Sequence, residues 1–580
     1  MLAASGRVSL NDSRTSMRLF HAAPGPAMIL GSLVLFTSGS DAAIRLVDVA
    51  AQAGLSLLNV CGGAAKDYIV EVNGNGAAFF DYDNDGDLDV LIVNGSTLDA
   101  MKRGGDPMLA LYRNDGKGHF DDVTPSSGMR ARGWGMGACV ADYDNDGAQD
   151  VYVTAFGPNV LFRGHRDGTF TDVTARANVG DPHWSTNCAF ADYDRDGDLD
   201  LYVANYLSFS ERTIPKRGAS PDCRYLGADV MCGPKGLAGE PDVLYRNNGD
   251  GTFTDVSRAA GIADPGAYGF GVLFSDLDDD GWPDIFVAND SVPNLLFHNN
   301  GNGTFSELGL ASGLALSGDG KPQASMGADA ADYDGDGRLD VFVTNFSQDY
   351  NTLYRNGGAF FADASHQAGV VTPSLAYLGW GTGFADFDND GLVDLFVANG
   401  HVYPEVDRIG TRTTYRQRKQ VFRNTGSGHF REVTDESGGG LPIEKSSRGA
   451  AFGDYDNDGD VDVLVINMND RPALLRNETA SGNSWITFKL VGKAANRDAV
   501  GARVRLEDAA APRIAEVRSG GSYLSHNDMR VHFGLGRRAE VAPISIRWPD
   551  GATERFEGLK ANAIQVIRQG SGTAAASSSR

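Results

Sequence analysis

A nine-residue acidic loop recurs seven times in this chain of 580 residues. Every copy carries aspartate at its positions 1, 3, 5 and 9 and glycine at position 6. The first four copies supply Asp81, Asp83, Asp85 and Asp89, then Asp142, Asp144, Asp146 and Asp150, then Asp192, Asp194, Asp196 and Asp200, then Asp276, Asp278, Asp280 and Asp284. The last three supply Asp332, Asp334, Asp336 and Asp340, then Asp386, Asp388, Asp390 and Asp394, then Asp454, Asp456, Asp458 and Asp462. Carboxylates at alternate positions of a tight turn suit a hard cation, and calcium takes about six to eight oxygens at ~2.3–2.6 Å. The glycine permits the turn. Position 7 can add its carbonyl, and position 9 a further carboxylate. The chemistry expected is therefore structural binding of up to seven calcium ions. Magnesium fits less well, because it gives up its water reluctantly and demands a rigid octahedron.

The elements that position these loops are strands. Small apolar residues precede each loop, as in Gly76 to Phe80 and Gly137 to Ala141, and suit a strand crowded near an axis. Apolar runs follow, such as VLIV after Asp89 and VFVT after Asp340, and read as buried strands rather than as the helix of a calcium hand. An asparagine usually ends that run, as at Asn94, Asn205 and Asn467, where it suits a turn and can tie the strand end down. A third segment of the type Leu-Tyr-Arg-Asn recurs seven times, from Leu111–Asn114 to Leu474–Asn477. A fourth, Phe-x-Asp-Val-like, follows only six of these, at Phe120, Phe170, Phe253, Phe305, Phe360 or Phe361, and Phe430. The seventh is expected at the other end of the chain, in Leu46–Val49. That count predicts a closed ring in which the N-terminal strand completes the last blade. The expected fold is all-β, a seven-bladed β-propeller with calcium loops in its blades, rather than an open solenoid with caps at both ends.

Beyond residue 480 the loops stop. Trp485–Leu490, Ala502–Leu506, Ile514–Val517, Met529–Phe533 and Ile544–Trp548 read as strands of a small antiparallel β-sandwich-like domain over 481–570. Residues 571–580 read as a flexible tail. At the other end, Ala27–Phe36 is apolar but too short to span a bilayer. With Arg18 before it and small residues after it, residues 1–42 read as a signal peptide, with Met17 a natural translation start. The ring would then fill 43–480.

On these motifs the chain resembles the calcium-binding repeats of integrin alpha-chain propellers. More closely it resembles the bacterial and animal proteins related to cartilage acidic protein, which join FG-GAP or VCBS-like repeats to a C-terminal ASPIC/UnbV domain. The tail residues that carry this are Asn496-Arg497, Gly501–Val504, Ser519–Ser525, His532–Gly536 and Trp548–Gly551. The resemblance implies export, calcium binding and a propeller. It brings no established chemistry.

A net charge of −25 disfavours a groove for nucleic acid or anionic lipid. The five cysteines fit export, with a Cys223–Cys232 disulfide expected and Cys139 and Cys188 as readily buried thiols. Two insertions break the repeat. Residues 207–241 carry Lys216, Arg217, Arg224 and Lys235, and residues 403–420 carry Arg408, Arg412, Arg416, Arg418 and Lys419. They are basic loops on an acidic ring, placed where partners are usually recognised. The expected function is a secreted or periplasmic scaffold that binds an extracellular protein or glycan, with no transmembrane segment in the mature chain. The alternative is a secreted propeller hydrolase or lyase acting on a polysaccharide or natural product. No catalytic residue is assigned. No H-E-x-x-H or G-x-S-x-G motif is present, and His401 with Tyr403 is the clearest departure from the repeat, in what reads as a surface loop.

Overall fold

A computed structural model describes residues 43–262, 266–493, 496–508 and 512–574. The expected signal peptide lies outside the described residues, as do 575–580. Among the described residues, no helix is long and apolar enough to cross a membrane.

Seven four-stranded antiparallel sheets, each a propeller-like blade, make up the chain from residue 46 to residue 477. The first runs Ala77–Phe80, Asp89–Val93, Leu109–Asn114 and Phe120–Asp122, in that order. Each nine-residue loop joins the first strand of its sheet to the second. The second strands read as continuous apolar runs because they are buried on both faces: Val90, Leu91, Ile92 and Val93 are all fully buried. The seventh sheet takes its outer strand from the start of the chain, with Leu46 opposite Asn477 and Asp48 opposite Leu475. Of the two candidate aromatics in the fifth sheet, Phe361 is buried and Phe360 exposed.

The first strands of successive sheets lie beside one another, and Ser447–Gly453 of the seventh returns to Ala77–Phe80 of the first. There Gly449 N–H donates to Asn75 O at 3.2 Å. This crowding explains the small residues. A Cβ on Gly327 would sit 2.2 Å from Trp380 O, and one on Gly449 would sit 2.7 Å from Gly76 Cα. Cys139 and Cys188, on the first strands of the second and third sheets, are disulfide-bonded, not free thiols. Two crowded neighbouring strands bring their Cα atoms to 5.7 Å, within bridging distance. Cys223–Cys232 is also a disulfide, and Cys61 is a buried free thiol.

The C-terminal part is a β-sandwich. One sheet holds Ser484–Val491 between Val531–Gly536 and Ile564–Arg568. The other is five-stranded, with Arg503–Leu506 and Ile544–Arg547 at its centre. The domain departs from the expectation in two places. The domain is not wholly antiparallel, because Ser484–Val491 pairs in parallel with Ile564–Arg568, a strand with only half-buried alternation. Nor does the flexible tail begin at 571: Thr573–Ala574 pairs with Glu554–Arg555.

Candidate metal centres

Each acidic loop is closed by its own carboxylates. Position 6 is a left-handed glycine throughout, from Gly86 (φ 98°) to Gly459 (φ 93°). Position 4 is left-handed as well, at Asn84, Asn145, Arg195, Asp279, Gly335, Asn389 and Asn457. Asparagine and glycine tolerate that region best, which is the signal behind the recurrent Asp-Asn-Asp-Gly and which the reading above did not use. The position-5 carboxylate accepts the position-7 N–H in all seven loops, at 2.8–3.1 Å.

Position 9 braces the loop against the sheet. Asp89 Oδ2 accepts Tyr82 N–H at 3.1 Å and Oδ1 accepts Asn114 N–H at 2.8 Å. The same pair of bonds recurs at every position-9 aspartate, for example Asp340 with Tyr333 and Asn356 and Asp462 with Tyr455 and Asn477.

Several inner carboxylates at positions 1 and 3 keep an unsatisfied oxygen. Asp81, Asp83, Asp142, Asp192, Asp194, Asp276 and Asp456 each hold a buried Oδ1 with no hydrogen-bond partner. A buried charged oxygen without a partner is costly, and a divalent cation at the loop centre removes that cost. Groups such as Asp81, Asp83 and Asp85, or Asp332, Asp334 and Asp336, place one ligand atom each within 4.8 Å of the others. The residues present therefore fit a divalent ion. Burial, reinforced by the neighbouring carboxylates, pushes Asp142, Asp192 and Asp454 up to about 7 and Asp89 and Asp340 up to about 8.

The arginine of the Leu-Tyr-Arg-Asn strand lies over the loop. Arg163 reaches Asp144 and Asp146 at 2.6 Å, Arg355 reaches Asp334 at 2.5 Å, and Arg423 reaches Asp388 at 2.6 Å. The fourth sheet has His298 there instead, 3.2 Å from Asp278 and 3.1 Å from Asp284.

The loops are also tied to one another. The asparagine that ends each third strand donates Nδ2–H to the position-2 carbonyl of the preceding loop: Asn247 to Tyr143, Asn299 to Tyr193, Asn356 to Leu277, Asn424 to Tyr333 and Asn477 to Phe387. Asn114 joins the first sheet to the seventh loop in the same way, on Tyr455 O at 2.8 Å. Among the described residues, the second sheet, with Gly164 at that position, has no such latch. Replacing buried Asn114 with Ala is expected to destabilise by about 1–3 kcal/mol, through the carbonyls of Leu88 and Tyr455 left unpaired; denaturant unfolding measures it. The strand-ending asparagines do tie down turns, but away from the metal loop: Asn94 accepts Val60 N–H and donates to Pro107 O.

The C-terminal sandwich sits on the loop face. Lys489 is 3.2 Å from Asp81, Arg530 donates to Asp454 O at 2.6 Å, and Arg547 pairs with Asp276. Its Ser519–Asp528 segment enters the space between the first strands, and Ser522 through His526 are fully buried. These are edge strands with open hydrogen-bonding groups, and the segment supplies partners. Leu524 O accepts Ala138 N–H, Ser522 O accepts Ala328 N–H, and His526 exchanges bonds with Ala77 and Phe79. Gly76 must be glycine, since a Cβ would lie 1.6 Å from Leu524 O. Tyr523 emerges toward the far side, its ring 4.8 Å from that of Trp380 and its hydroxyl donating to Asn73 O at 3.0 Å. The Gly520-Gly521 pair thus serves a structural turn, left-handed at both residues (φ 85° and 107°).

The two insertions meet on that far side. Arg217 pairs with Glu405, and Tyr225 packs against His401 and Tyr403. His401 is not in a surface loop. It is fully buried, accepts Tyr403 N–H at Nδ1, lies 3.0 Å from Ser347 Oγ through Nε2, and is held neutral by burial, which lowers it to about 3. The basic character is also reduced. Arg217, Arg224 and Arg418 have acidic partners and Lys419 is buried, while Lys216, Lys235, Arg408, Arg412 and Arg416 stay exposed. A cavity of about 780 Å³ opens here, lined by Tyr206, Asp290, Gln323, Trp380 and Tyr403 among others.

Comparisons with known proteins agree with this architecture. The FG-GAP-like repeat family model matches residues 81–153, 142–203, 228–287, 276–343, 332–397 and 409–465. The ASPIC and UnbV model matches 492–574. Cartilage acidic protein 1 of Mus musculus is 29% identical over 353 residues, covering 59% of this chain and 51% of that protein. The Homo sapiens protein of the same name is 28% identical, covering 54% and 45%, and the Xenopus tropicalis one 26% identical, covering 82% and 70%. The match spans about half the length of the mouse and human relatives.

Proposed function

We propose that this chain, which belongs to the FG-GAP-like repeat family and ends in an ASPIC and UnbV domain, is an exported calcium-laced scaffold that binds a protein or glycan. In this reading the seven blades close into a seven-bladed propeller, the loop aspartates from Asp81 to Asp462 hold up to seven calcium ions, and residues 1–42 direct export to the periplasm or beyond. Calcium, when bound, supplies charge neutralisation that fixes the loops. The chain's own residues do the rest: position 9 joins loop to sheet, and the asparagine latches join sheet to sheet.

One observation carries the reading. The C-terminal domain covers the loop face and its Ser519–Asp528 segment fills the axis, so the exposed feature that departs from the repeat is the opposite face, where the insertions are fixed by Cys223–Cys232 and Arg217–Glu405. Rigid loops that display exposed Arg408, Arg412 and Arg416 suit an acidic glycan or acidic protein surface. The reading is capture without turnover. In millimolar calcium, the chain from residue 43 is expected to be retained on an immobilised acidic polysaccharide and not on a neutral one. The variant R408E/R412E/R416E should lose retention at unchanged melting temperature. Retention untouched by the triple substitution, or release of shortened polysaccharide, would sink the proposal, the second in favour of a lyase or hydrolase.

A further inference from the structure

The seven loops are not equivalent, and the fourth differs in kind. Six third strands carry an arginine at this position, Arg113, Arg163, Arg246, Arg355, Arg423 and Arg476, and three of these pair with their own loop. An arginine has no lone pair to give a metal. The fourth strand places His298, whose Nδ1 lies 3.2 Å from Asp278 Oδ2 and 3.1 Å from Asp284 Oδ1. Asp278, Asp280 and His298 offer ligand atoms that all lie within 4.8 Å of one another. Asp276, 4% exposed, opens the same loop. Its Oδ2 is taken by Gly281 N–H and by Arg547, while its buried Oδ1 has no hydrogen-bond partner.

We propose that the fourth loop is a mixed nitrogen–oxygen site for a borderline divalent cation of the zinc class, built from His298, Asp278, Asp280 and the free oxygen of Asp276. The proposal rests on the reading that these loops bind metal and changes which metal one of them takes. Two arguments support it. Imidazole with carboxylates suits zinc and its neighbours, whereas calcium selects oxygen alone. Arginines also approach this loop from its neighbours. Arg547 pairs with Asp276, Arg503 donates to Asp276 O at 2.6 Å, and Arg195 donates to Gly281 O while stacking on Trp282 at 3.8 Å. Added positive charge weakens a site that works by ionic attraction alone. It penalises less a site that adds a coordinate bond from nitrogen, and zinc needs about four ligands where calcium needs six or more. The histidine currently bridges two aspartates, and metal binding would exchange its bridging proton for the ion.

The test uses the full chain from residue 43, dialysed in millimolar calcium with micromolar zinc, with both metals counted by mass spectrometry. One zinc per chain is expected beside the calcium, with a single imidazole visible in zinc-edge X-ray absorption. The H298R variant installs the residue the other six blades carry, so it should fold. It should lose the zinc and keep its calcium, and H298Q, which is closer in size, should lose it too. No retained zinc, or zinc retained at full stoichiometry in both variants, would overturn the assignment. A calcium count near zero with one zinc still held would remove the calcium-laced ring and leave the His298 site standing, so the two readings fail separately.

Discussion

Removing calcium from the chain that begins at residue 43 is expected to lower its melting temperature by about 10 °C, and by more at pH 8 than at pH 5.5. Extracellular calcium modules bind with Kd of about 10⁻⁴–10⁻³ M. At millimolar calcium each site then adds roughly 0.4–1.4 kcal/mol by mass action. Seven sites together reach the order of 10 kcal/mol, and a chain of this size loses roughly 1 °C per kcal/mol. The pH dependence follows from the loop carboxylates. Burial raises Asp142, Asp192 and Asp454 to about 7 and Asp89 and Asp340 to about 8 in the folded chain, above the ordinary carboxylate value they regain on unfolding. The folded chain thus binds these protons more tightly than the unfolded one. Their stabilisation is present at low pH and is lost as pH rises through about 7–8. In chelator the melting temperature should fall from pH 5.5 to pH 8, and in calcium the ion takes the place of the protons, so the gap widens. Scanning calorimetry at the two pH values with and without chelator measures both effects. A gap that shrinks toward pH 8 would contradict the buried-carboxylate account.

The second large effect is expected at Tyr523. Its side chain is fully buried, its ring packs 5.5 Å from Phe270 and 4.8 Å from Trp380, and its hydroxyl reaches Asn73 O. Tyr523→Ala should cost about 3–5 kcal/mol, as large aromatic truncations in cores do. Tyr523→Phe removes only the hydrogen bond and should cost about 1 kcal/mol. Because the segment on either side of Tyr523 is the part of the sandwich that enters the space between the first strands, the alanine variant should also open the 478–483 linker to protease, releasing the C-terminal domain while the phenylalanine variant stays intact. Equal protease resistance of both variants would show that the salt bridges of the loop face, such as Lys489–Asp81 and Arg547–Asp276, hold the domain without the plug.

The sequence by itself determined the repeat and its consequences. Seven copies of one Asp-x-Asp-x-Asp-Gly-x-x-Asp turn, each followed by an apolar run, carry their meaning locally: carboxylates at alternate positions and a glycine at the left-handed corner make the loop wherever they occur. The count of third and fourth strands was equally legible, since a missing Phe-x-Asp-Val unit at one end and Leu46–Val49 at the other need each other to fill a sheet. The pairing of Cys223 with Cys232 followed from nearness in the chain.

Tertiary structure decided whatever depends on residues distant in sequence. Cys139 and Cys188 are separated by 49 positions and meet only because the first strands of neighbouring sheets are crowded together. His401 looked exposed because its loop is polar and irregular, and it is buried because the other insertion folds over it through Tyr225. The basic residues of the insertions carried a charge that the sequence could count, but their acidic partners Glu405, Asp229 and Asp435 are assigned only by the fold. The Ser-Gly-Gly-Ser-Tyr-Leu-Ser run marked a family without revealing a role. Its two glycines signal a tight turn, but only the fold places that turn among the open edges of the first strands, which take up its backbone groups. Local patterns fix turns and strands because backbone sterics act within a few residues. Burial, pairing and plugging are properties of surfaces that exist only after the sheets have assembled.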